Sequence, residues 1–206
     1  DGNLVCVIGD VCGKGVGAAL FMTLFRSLIR ATSTADAFSN RKDMLSLTPS
    51  ERLLHVISFT NNYVAETHGD ANMFATVFIG LINLQDGRLS YINCGNEPAL
   101  LLKHGVVIDS LRPTGPVIGV IPDARFSVKE ISMESRDLLL VFTDGIPDAL
   151  NVDNVSFGNE RMLKLLDGSP ASPAQVLKNI ENELLQFIGA AEQFDDITLL
   201  AVKRCA

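Results

Sequence analysis

The sequence predicts an α/β sandwich (αββα) in which two mainly antiparallel sheets stack and helices cover their outer faces. Segments such as 77–79 (VFI) and 138–141 (LLLV) are apolar on both faces, which is typical of sheets covered on both sides. Tight turn signals such as Asp86-Gly87 join neighbouring strands, and short hairpins require antiparallel pairing. Stacked antiparallel sheets with helices outside satisfy both conditions.

The first half of the chain predicts one strand and two helices. Residues 4–8 form an apolar strand that ends at Gly9-Asp10, and a glycine-rich turn leads into a helix over 16–32. Residues 34–47 are polar and aperiodic, which indicates a loop. Thr48-Pro49-Ser50-Glu51 then combines a capping Thr, an early Pro and a Glu three residues after the Thr, so a second helix is predicted over 49–67.

The second half changes to the period of β-strands. The predicted strand pairs are 74–84 with 89–94, 99–103 with 106–108 around His104-Gly105, and 126–133 with 138–143. Ser172 and Pro173 signal a further helix, with an apolar stripe at Leu177, Ile180, Leu184 and Phe187. The last predicted strand covers 197–202.

Composition limits the class of protein. The chain has 206 residues, 47% of them hydrophobic, which is typical of a globular domain. Its 17 basic and 24 acidic residues give a net charge of −7 without a basic run, which argues against nucleic acid or an anionic membrane as partner. The charge-free stretch 15–25 is shorter than the roughly 20 apolar residues of a membrane span. Cys6, Cys12, Cys94 and Cys205 lack paired spacing and are predicted to be free thiols.

Acidic residues recur where predicted strands begin or end. Asp10 follows the first strand, Asp144 follows 138–143, and Asp195-Asp196 precedes the last strand. Carboxylates that cluster without basic partners repel one another, and a hard divalent cation relieves this repulsion. Aspartate is also common at strand ends for structural reasons, because it accepts backbone hydrogen bonds there. Spacing alone therefore leaves both interpretations open.

Other phosphate-handling motifs do not fit the sequence. Three residues separate Gly9 from Gly13 and Gly15 follows Lys14, whereas a P-loop needs four residues and then Lys with Ser or Thr. The glycines at 13, 15 and 17 lack the final spacing of a dinucleotide fingerprint. A cysteine phosphatase is excluded because no Arg stands six residues after any Cys.

Five short motifs occur in one order along almost the whole chain. They are residues 9–20 (GDVCGKGVGAAL), 91–98 (YINCGNEP), 142–149 (FTDGIPDA), 157–161 (FGNER) and 194–198 (FDDIT). In this order they resemble the motifs of sporulation stage II E-like metal-dependent serine/threonine phosphatases (PPM-type, type 2C-like). Each motif alone is a weak signal, whereas five in order are specific.

The resemblance implies an αββα fold and two bound ions, Mn²⁺ or Mg²⁺, that hold a bridging hydroxide for attack on phosphorus. Asp10, Asp144 and Asp195 would be the catalytic carboxylates, acting as ligands of the metal. Val11 would contribute its backbone carbonyl, and Asp196 would be a further ligand or a supporting residue.

The sequence departs from the family pattern in two places. The family carries a Gly-Gly-Asp-containing strand ahead of the position where this sequence begins, and its Asp helps to hold one metal. Residues 1–206 are therefore expected to be a single phosphatase domain that lacks its N-terminal strand or strands and an upstream sensor region. Asn96 replaces the family's His, and a role in a turn would survive that change.

The resemblance also implies a substrate and a setting. The substrate would be phosphoserine or phosphothreonine on a bacterial signalling protein, namely an anti-sigma-factor antagonist, in the cytoplasm. The full-length protein could be tethered to a membrane, and a homodimer is left open. Helices 16–32 and 49–67 are where the family places its regulatory switch, although packing explains their apolar stripes equally well.

Two rival hypotheses remain at this stage. One is a catalytically inactive phosphatase-like module that binds a phosphorylated partner without hydrolysis. The other is a soluble α/β domain whose aspartates are incidental. Retention of Asp10, Asp144 and Asp195 together argues against the inactive module, whereas the missing N-terminal strand leaves that alternative open.

Overall fold

The computed structural model describes residues 2–33, 47–168 and 172–205. The strands are β1 (Asn3–Val11), β2 (Ala75–Asn83), β3 (Arg88–Cys94), β4 (Ala99–Lys103), β5 (Val106–Leu111), β6 (Lys129–Ser132), β7 (Leu138–Phe142) and β8 (Leu199–Lys203). The α-helices are α1 (Gly15–Ser33), α2 (Pro49–His68), α3 (Asn159–Leu166) and α4 (Pro173–Ile188). Within the described residues no helix is both long and apolar enough to cross a membrane.

The first of two compact units comprises Asp1–Asn96 and Pro113–Ser132. Its sheet has the order β1-β2-β3-β6, and every neighbouring pair is antiparallel. Helices α1 and α2 pack on this sheet because one stripe of each helix is apolar. Their buried side chains include Phe25, Ile29, Leu53, Val56, Ile57 and Val64.

The second unit comprises Glu97–Arg112 and Met133–Ala206. Its sheet has the order β5-β4-β7-β8 and is again antiparallel throughout. Every residue of β7 is buried, as the continuous apolar run LLLV predicts. Helices α3 and α4 share a core with this sheet, to which α4 contributes Val176, Ile180, Leu184 and Ile188.

Local signals placed most of the elements correctly. The Thr48 side chain accepts a hydrogen bond from the Glu51 backbone, and the Glu51 carboxylate accepts one from the Thr48 backbone at 2.8 Å, so the predicted capping box is confirmed. In the turn between β2 and β3, Gly87 has φ +78°, a value that favours glycine. The predicted loop 34–47 falls almost wholly on 34–46, which lie outside the described residues.

The predicted pairing of 126–133 with 138–143 is wrong. β6 pairs with β3 in the first sheet, whereas β7 pairs with β4 and β8 in the second. The residues between β6 and β7 turn toward the end of β8 instead of closing a hairpin. There Arg136 has φ +73° and donates its backbone N–H to the Arg204 carbonyl at 2.9 Å.

Two helical details also differ from the prediction. Helix α3 was not predicted, because it has eight residues and its N-cap, Gly158, has no side chain to signal a helix start. The buried stripe of α4 includes Val176 and Ile188, whereas the predicted Leu177 and Phe187 flank it and are partly buried. Ser172 is the N-cap residue of α4, but its side chain makes no capping hydrogen bond.

The four thiols are free, as predicted, and they differ in burial. Burial raises the pKa of Cys6 to about 11 and that of Cys94 to about 12. Because the thiolate is the reactive form, we expect a disulfide reagent at pH 8 to modify the exposed Cys205 first, and Cys6 and Cys94 only after unfolding. Time-resolved mass spectrometry with a Cys205→Ser control measures this order. Rapid modification of Cys94 in the folded chain would contradict it.

Candidate metal centre

Asp144 lies immediately after strand β7, where the chain leaves the second sheet. The backbone turns at once, since the Ile146 N–H donates to the Thr143 carbonyl at 3.3 Å and the Asp148 N–H donates to the Asp144 carbonyl at 2.9 Å. Asp144 is half-buried. The turn therefore holds one carboxylate at the end of a fully buried strand.

Asp195 lies on the segment that leads into β8, the neighbour of β7 in the sheet. The Asp195 carboxylate accepts a hydrogen bond from the Asp196 backbone N–H at 2.9 Å, and its carbonyl accepts one from the Gln193 side chain at 2.9 Å. β7 and β8 are antiparallel with Phe142 opposite Leu199, so Asp144 and Asp195 emerge at the same edge of the sheet.

The two acid-bearing segments are in close contact. A Cβ atom on Gly145 would lie only 2.2 Å from the Asp196 carbonyl oxygen and 2.9 Å from its carbonyl carbon. Glycine is therefore required at position 145 for space. Asp196 itself is exposed, and its backbone, rather than its side chain, makes this contact.

The electrostatics show that carboxylates crowd this part of the second unit. Burial raises the pKa of Asp144, and the nearby carboxylates of Asp195 and Asp148 raise it further. Burial also raises the pKa of Glu97, with smaller contributions from Asp144 and Asp148 in the same direction. A hydrogen bond from the Asn159 side chain opposes this rise. Burial, with a smaller contribution from like charges, thus destabilises the ionised forms of Asp144 and Glu97.

This donor chemistry fits a hard divalent cation, since such ions prefer carboxylate oxygens and offset the repulsion between them. In the ranges 2–33, 47–168 and 172–205, however, no group of three or more His, Cys, Asp or Glu side chains is arranged so that it could hold a metal ion. The ligand roles of Asp144 and Asp195 therefore stay predictions.

Asp10 and Val11 belong to the first unit. Both lie on β1, where Asp10 pairs with Thr76 and Val11 with Ala75 of β2. Asp10 is half-buried and Val11 is buried. The predicted strand thus extends through Asp10 to Val11, and the roles of both residues as ligands stay predictions.

Sequence reasoning missed three polar residues, namely Glu97 and Asp148, whose carboxylates interact with that of Asp144, and Asn159, which donates to Glu97. Glu97 follows the turn after β3, in which Gly95 has φ +73° and the Asn96 N–H donates to the Asn93 side chain at 2.9 Å. The structure thus places Asn96 in a turn, as expected after the replacement of His. A signal for Glu97 was present, because it lies inside the motif 91–98 directly after a strand.

Comparison with known sequences identifies the family. The family model "Stage II sporulation protein E (SpoIIE)" matches residues 1–205. Protein IcfG of Synechocystis sp. is 37% identical over 221 aligned positions, which cover 99% of this chain and 34% of that protein. Phosphoserine phosphatase RsbU of Bacillus subtilis is 28% identical over 200 positions, covering 96% of this chain and 54% of RsbU. The chain thus spans about a third to a half of the length of these relatives.

Solved structures confirm the predicted class of fold. The RsbU and RsbW domains of a Mycobacterium tuberculosis protein match with a TM-score of 0.72 and 25% identity, covering 100% of this chain and 54% of that one. RsbX, solved in complex with magnesium, matches with a TM-score of 0.60 and 19% identity over 98% of this chain and 82% of RsbX. The family and its named relatives indicate a protein phosphatase, that is, a hydrolase. The chain belongs to the Stage II sporulation protein E family of PP2C-type phosphatases.

Proposed function

We propose that this chain is a metal-dependent phosphatase domain that hydrolyses phosphoserine or phosphothreonine on a regulatory protein. The observation that carries the proposal is the half-buried Asp144, crowded by the carboxylates of Asp195 and Asp148, in a chain related to phosphoserine phosphatases. The family resemblance supports an anti-sigma-factor antagonist as the substrate and an upstream sensor region as the source of control.

The chain's own residues would supply the binding and orientation that this reaction needs. Asp144 and Asp195 would hold divalent cations, Mn²⁺ or Mg²⁺, and RsbX supports this by its magnesium complex. When bound, two such cations activate water for attack on phosphorus and neutralise charge on the phosphoryl oxygens. The turn after β7 fixes the direction of Asp144, and the Asp196 N–H fixes one oxygen of Asp195. No protein nucleophile is required in this scheme.

Asp10, the Val11 carbonyl and Asp196 complete the ligand set that the family resemblance implies. Residues 1–206 are proposed to be one phosphatase domain of a longer, cytoplasmic protein. The alternative of an inactive partner-binding module is not favoured, because the relative RsbU is a phosphoserine phosphatase by name.

Dependence on divalent metal tests the proposal. We expect the full-length protein to release phosphate from a phosphoserine-bearing protein in the presence of Mn²⁺. Chelation with EDTA should abolish the release, and added Mn²⁺ should restore it, because carboxylates without their cations supply no activated water. A phosphotyrosine substrate is the matched control. Phosphate release that persists in EDTA, or its absence from the full-length protein with Mn²⁺, would contradict the proposal.

A further inference from the structure

The side chain of Thr143 takes part in the ladder between β7 and β8. Beyond the pair Phe142–Leu199, the Thr143 backbone N–H donates to the Thr198 carbonyl at 3.2 Å. In a regular antiparallel pair the Thr198 N–H would donate back to the Thr143 carbonyl. It donates instead to the Thr143 hydroxyl oxygen, Oγ1, at 3.1 Å.

Because the Thr198 N–H bonds to the hydroxyl, the Thr143 carbonyl can accept a hydrogen bond from elsewhere. That carbonyl accepts the hydrogen bond from Ile146 that begins the turn around Asp144. Without the hydroxyl, the chain could leave the sheet at this point only by depriving the Thr198 N–H of its partner. The hydroxyl that takes the place of the carbonyl is buried, because Thr143 is only 1% exposed, whereas Thr198 itself is exposed.

The same hydroxyl also donates a hydrogen bond to the Asp196 carbonyl at 3.2 Å. A hydroxyl has one donor and two acceptor positions, so Thr143 can make both bonds at once. On the other side of Asp144, Gly145 lies directly against that same carbonyl. Asp144 is therefore flanked by two residues that each contact the segment carrying Asp195 and Asp196.

We propose that Thr143 is the positioning residue that fixes Asp144 relative to Asp195, and that it thereby sets the divalent-cation affinity of this pair. The inference rests on the proposed function and deepens it. Thr143 acts through the two acids, because its hydroxyl donates to and accepts from the backbone of the segment that carries Asp195. Supporting groups of this kind typically change metal affinity by about 10- to 100-fold.

Two substitutions distinguish the effect of the Thr143 hydroxyl from the effect of the side chain's shape. Thr143→Val keeps the branched shape and removes the hydroxyl, so we expect Mn²⁺ affinity, measured by calorimetry, to fall roughly 10- to 100-fold. Thr143→Ser keeps the hydroxyl and should bind Mn²⁺ nearly as the unmodified chain does. Thr60→Val is the matched control, since the Thr60 hydroxyl is also buried and bonded to a carbonyl, that of Val56 at 2.8 Å. It should leave Mn²⁺ affinity unchanged.

Amide hydrogen exchange in EDTA tests the contact without any metal. Thr143→Val should speed exchange of the Thr198 N–H, and Thr143→Ser should restore its protection. Thr143→Ala removes the hydroxyl without adding bulk and serves if the valine variant does not fold.

The outcomes distinguish this inference from the proposed function. Mn²⁺ binding and Thr198 protection that are equal in Thr143→Val and the unmodified chain would overturn the positioning role and leave the phosphatase proposal intact. An unmodified chain that binds no Mn²⁺ would overturn both the proposed function and the effect of Thr143 on affinity.

Discussion

Asp144→Asn is expected to lower the rate of phosphate release at least about 100-fold, because loss of a supporting group alone costs metal sites about 10- to 100-fold. Asparagine retains the size and one oxygen of the side chain but removes the negative charge that would hold the cation. The measurement is kcat/KM for a phosphoserine-bearing protein at saturating Mn²⁺. Asp109→Asn, an exposed carboxylate on β5, is the matched control and should retain full activity.

The same substitution, although it lowers activity, should raise the stability of the folded chain when metal is removed. Burial and the carboxylates of Asp195 and Asp148 raise the pKa of Asp144, so its charged form is less favourable in the folded chain than in the unfolded chain. A neutral Asn at position 144 removes that repulsion. In EDTA at pH 7 we therefore expect Asp144→Asn to have a higher Tm than the unmodified chain. Full activity and an unchanged Tm in Asp144→Asn would show that Asp144 is not part of the site.

Gly145→Ala is expected to destabilise the fold and to inactivate the site together. The added methyl group would meet the Asp196 carbonyl oxygen at 2.2 Å, a distance that real Cβ atoms do not tolerate. Because the obstructing atoms are backbone atoms, the segment carrying Asp195 must move. Such overpacking costs about 1–3 kcal/mol, sometimes more, and for a protein of this size each kcal/mol lowers the Tm by about 2–4 °C.

A second glycine provides the control for this experiment. Gly69 has ordinary helical dihedral angles, φ −54° and ψ −38°, and a Cβ placed on it meets no atom within 4 Å. Gly69→Ala should therefore leave the Tm unchanged or raise it slightly, because alanine reduces the conformational freedom of the unfolded chain. A Gly145→Ala variant that keeps both its Tm and its Mn²⁺ affinity would show that the contact with Asp196 is not needed.

Features that depend on neighbours in the sequence were predictable. The capping box at Thr48 and the turn at Asp86-Gly87 are complete within four residues, so the sequence contains all the information that they need. The continuous apolar run of β7 likewise reflects burial on both faces. Strand and helix positions followed from such signals, apart from α3, whose N-cap is a glycine.

Strand partners were not predictable in the same way. β6 (KEIS) is short and largely polar, whereas β7 (LLLVF) is short and apolar, and nothing in either sequence specifies its partner. Their separation into different sheets depends on residues far away, including Arg204, which bonds the turn between them. Pairing of this kind is set by tertiary packing rather than by local preference.

In the candidate site, too, residues with a local sequence signal were predicted and residues that depend on tertiary packing were not. Asp144 and Asp195 were found because motifs and strand ends mark them in the sequence. Glu97 was not found, although it lies inside the motif 91–98, since its interaction with Asp144 arises only when segments distant in sequence fold together. The role of Thr143 was equally hidden, because a hydroxyl that replaces a carbonyl in a ladder has no sequence signature.

The register of β1 has a consequence for how the chain reaches its native state. Asn3 pairs with Asn83 and Val11 with Ala75, so β1 leaves the ribosome long before its partner is made. Until then Cys6 and Ile8, which are buried in the folded chain, lack the strand that pairs with β1. Long-range pairing of this kind slows folding and prolongs the exposure of apolar strands to aggregation. Expression at low temperature, which slows synthesis, should therefore increase the yield of soluble protein. Substitutions in the short hairpin between β4 and β5 should change that yield less.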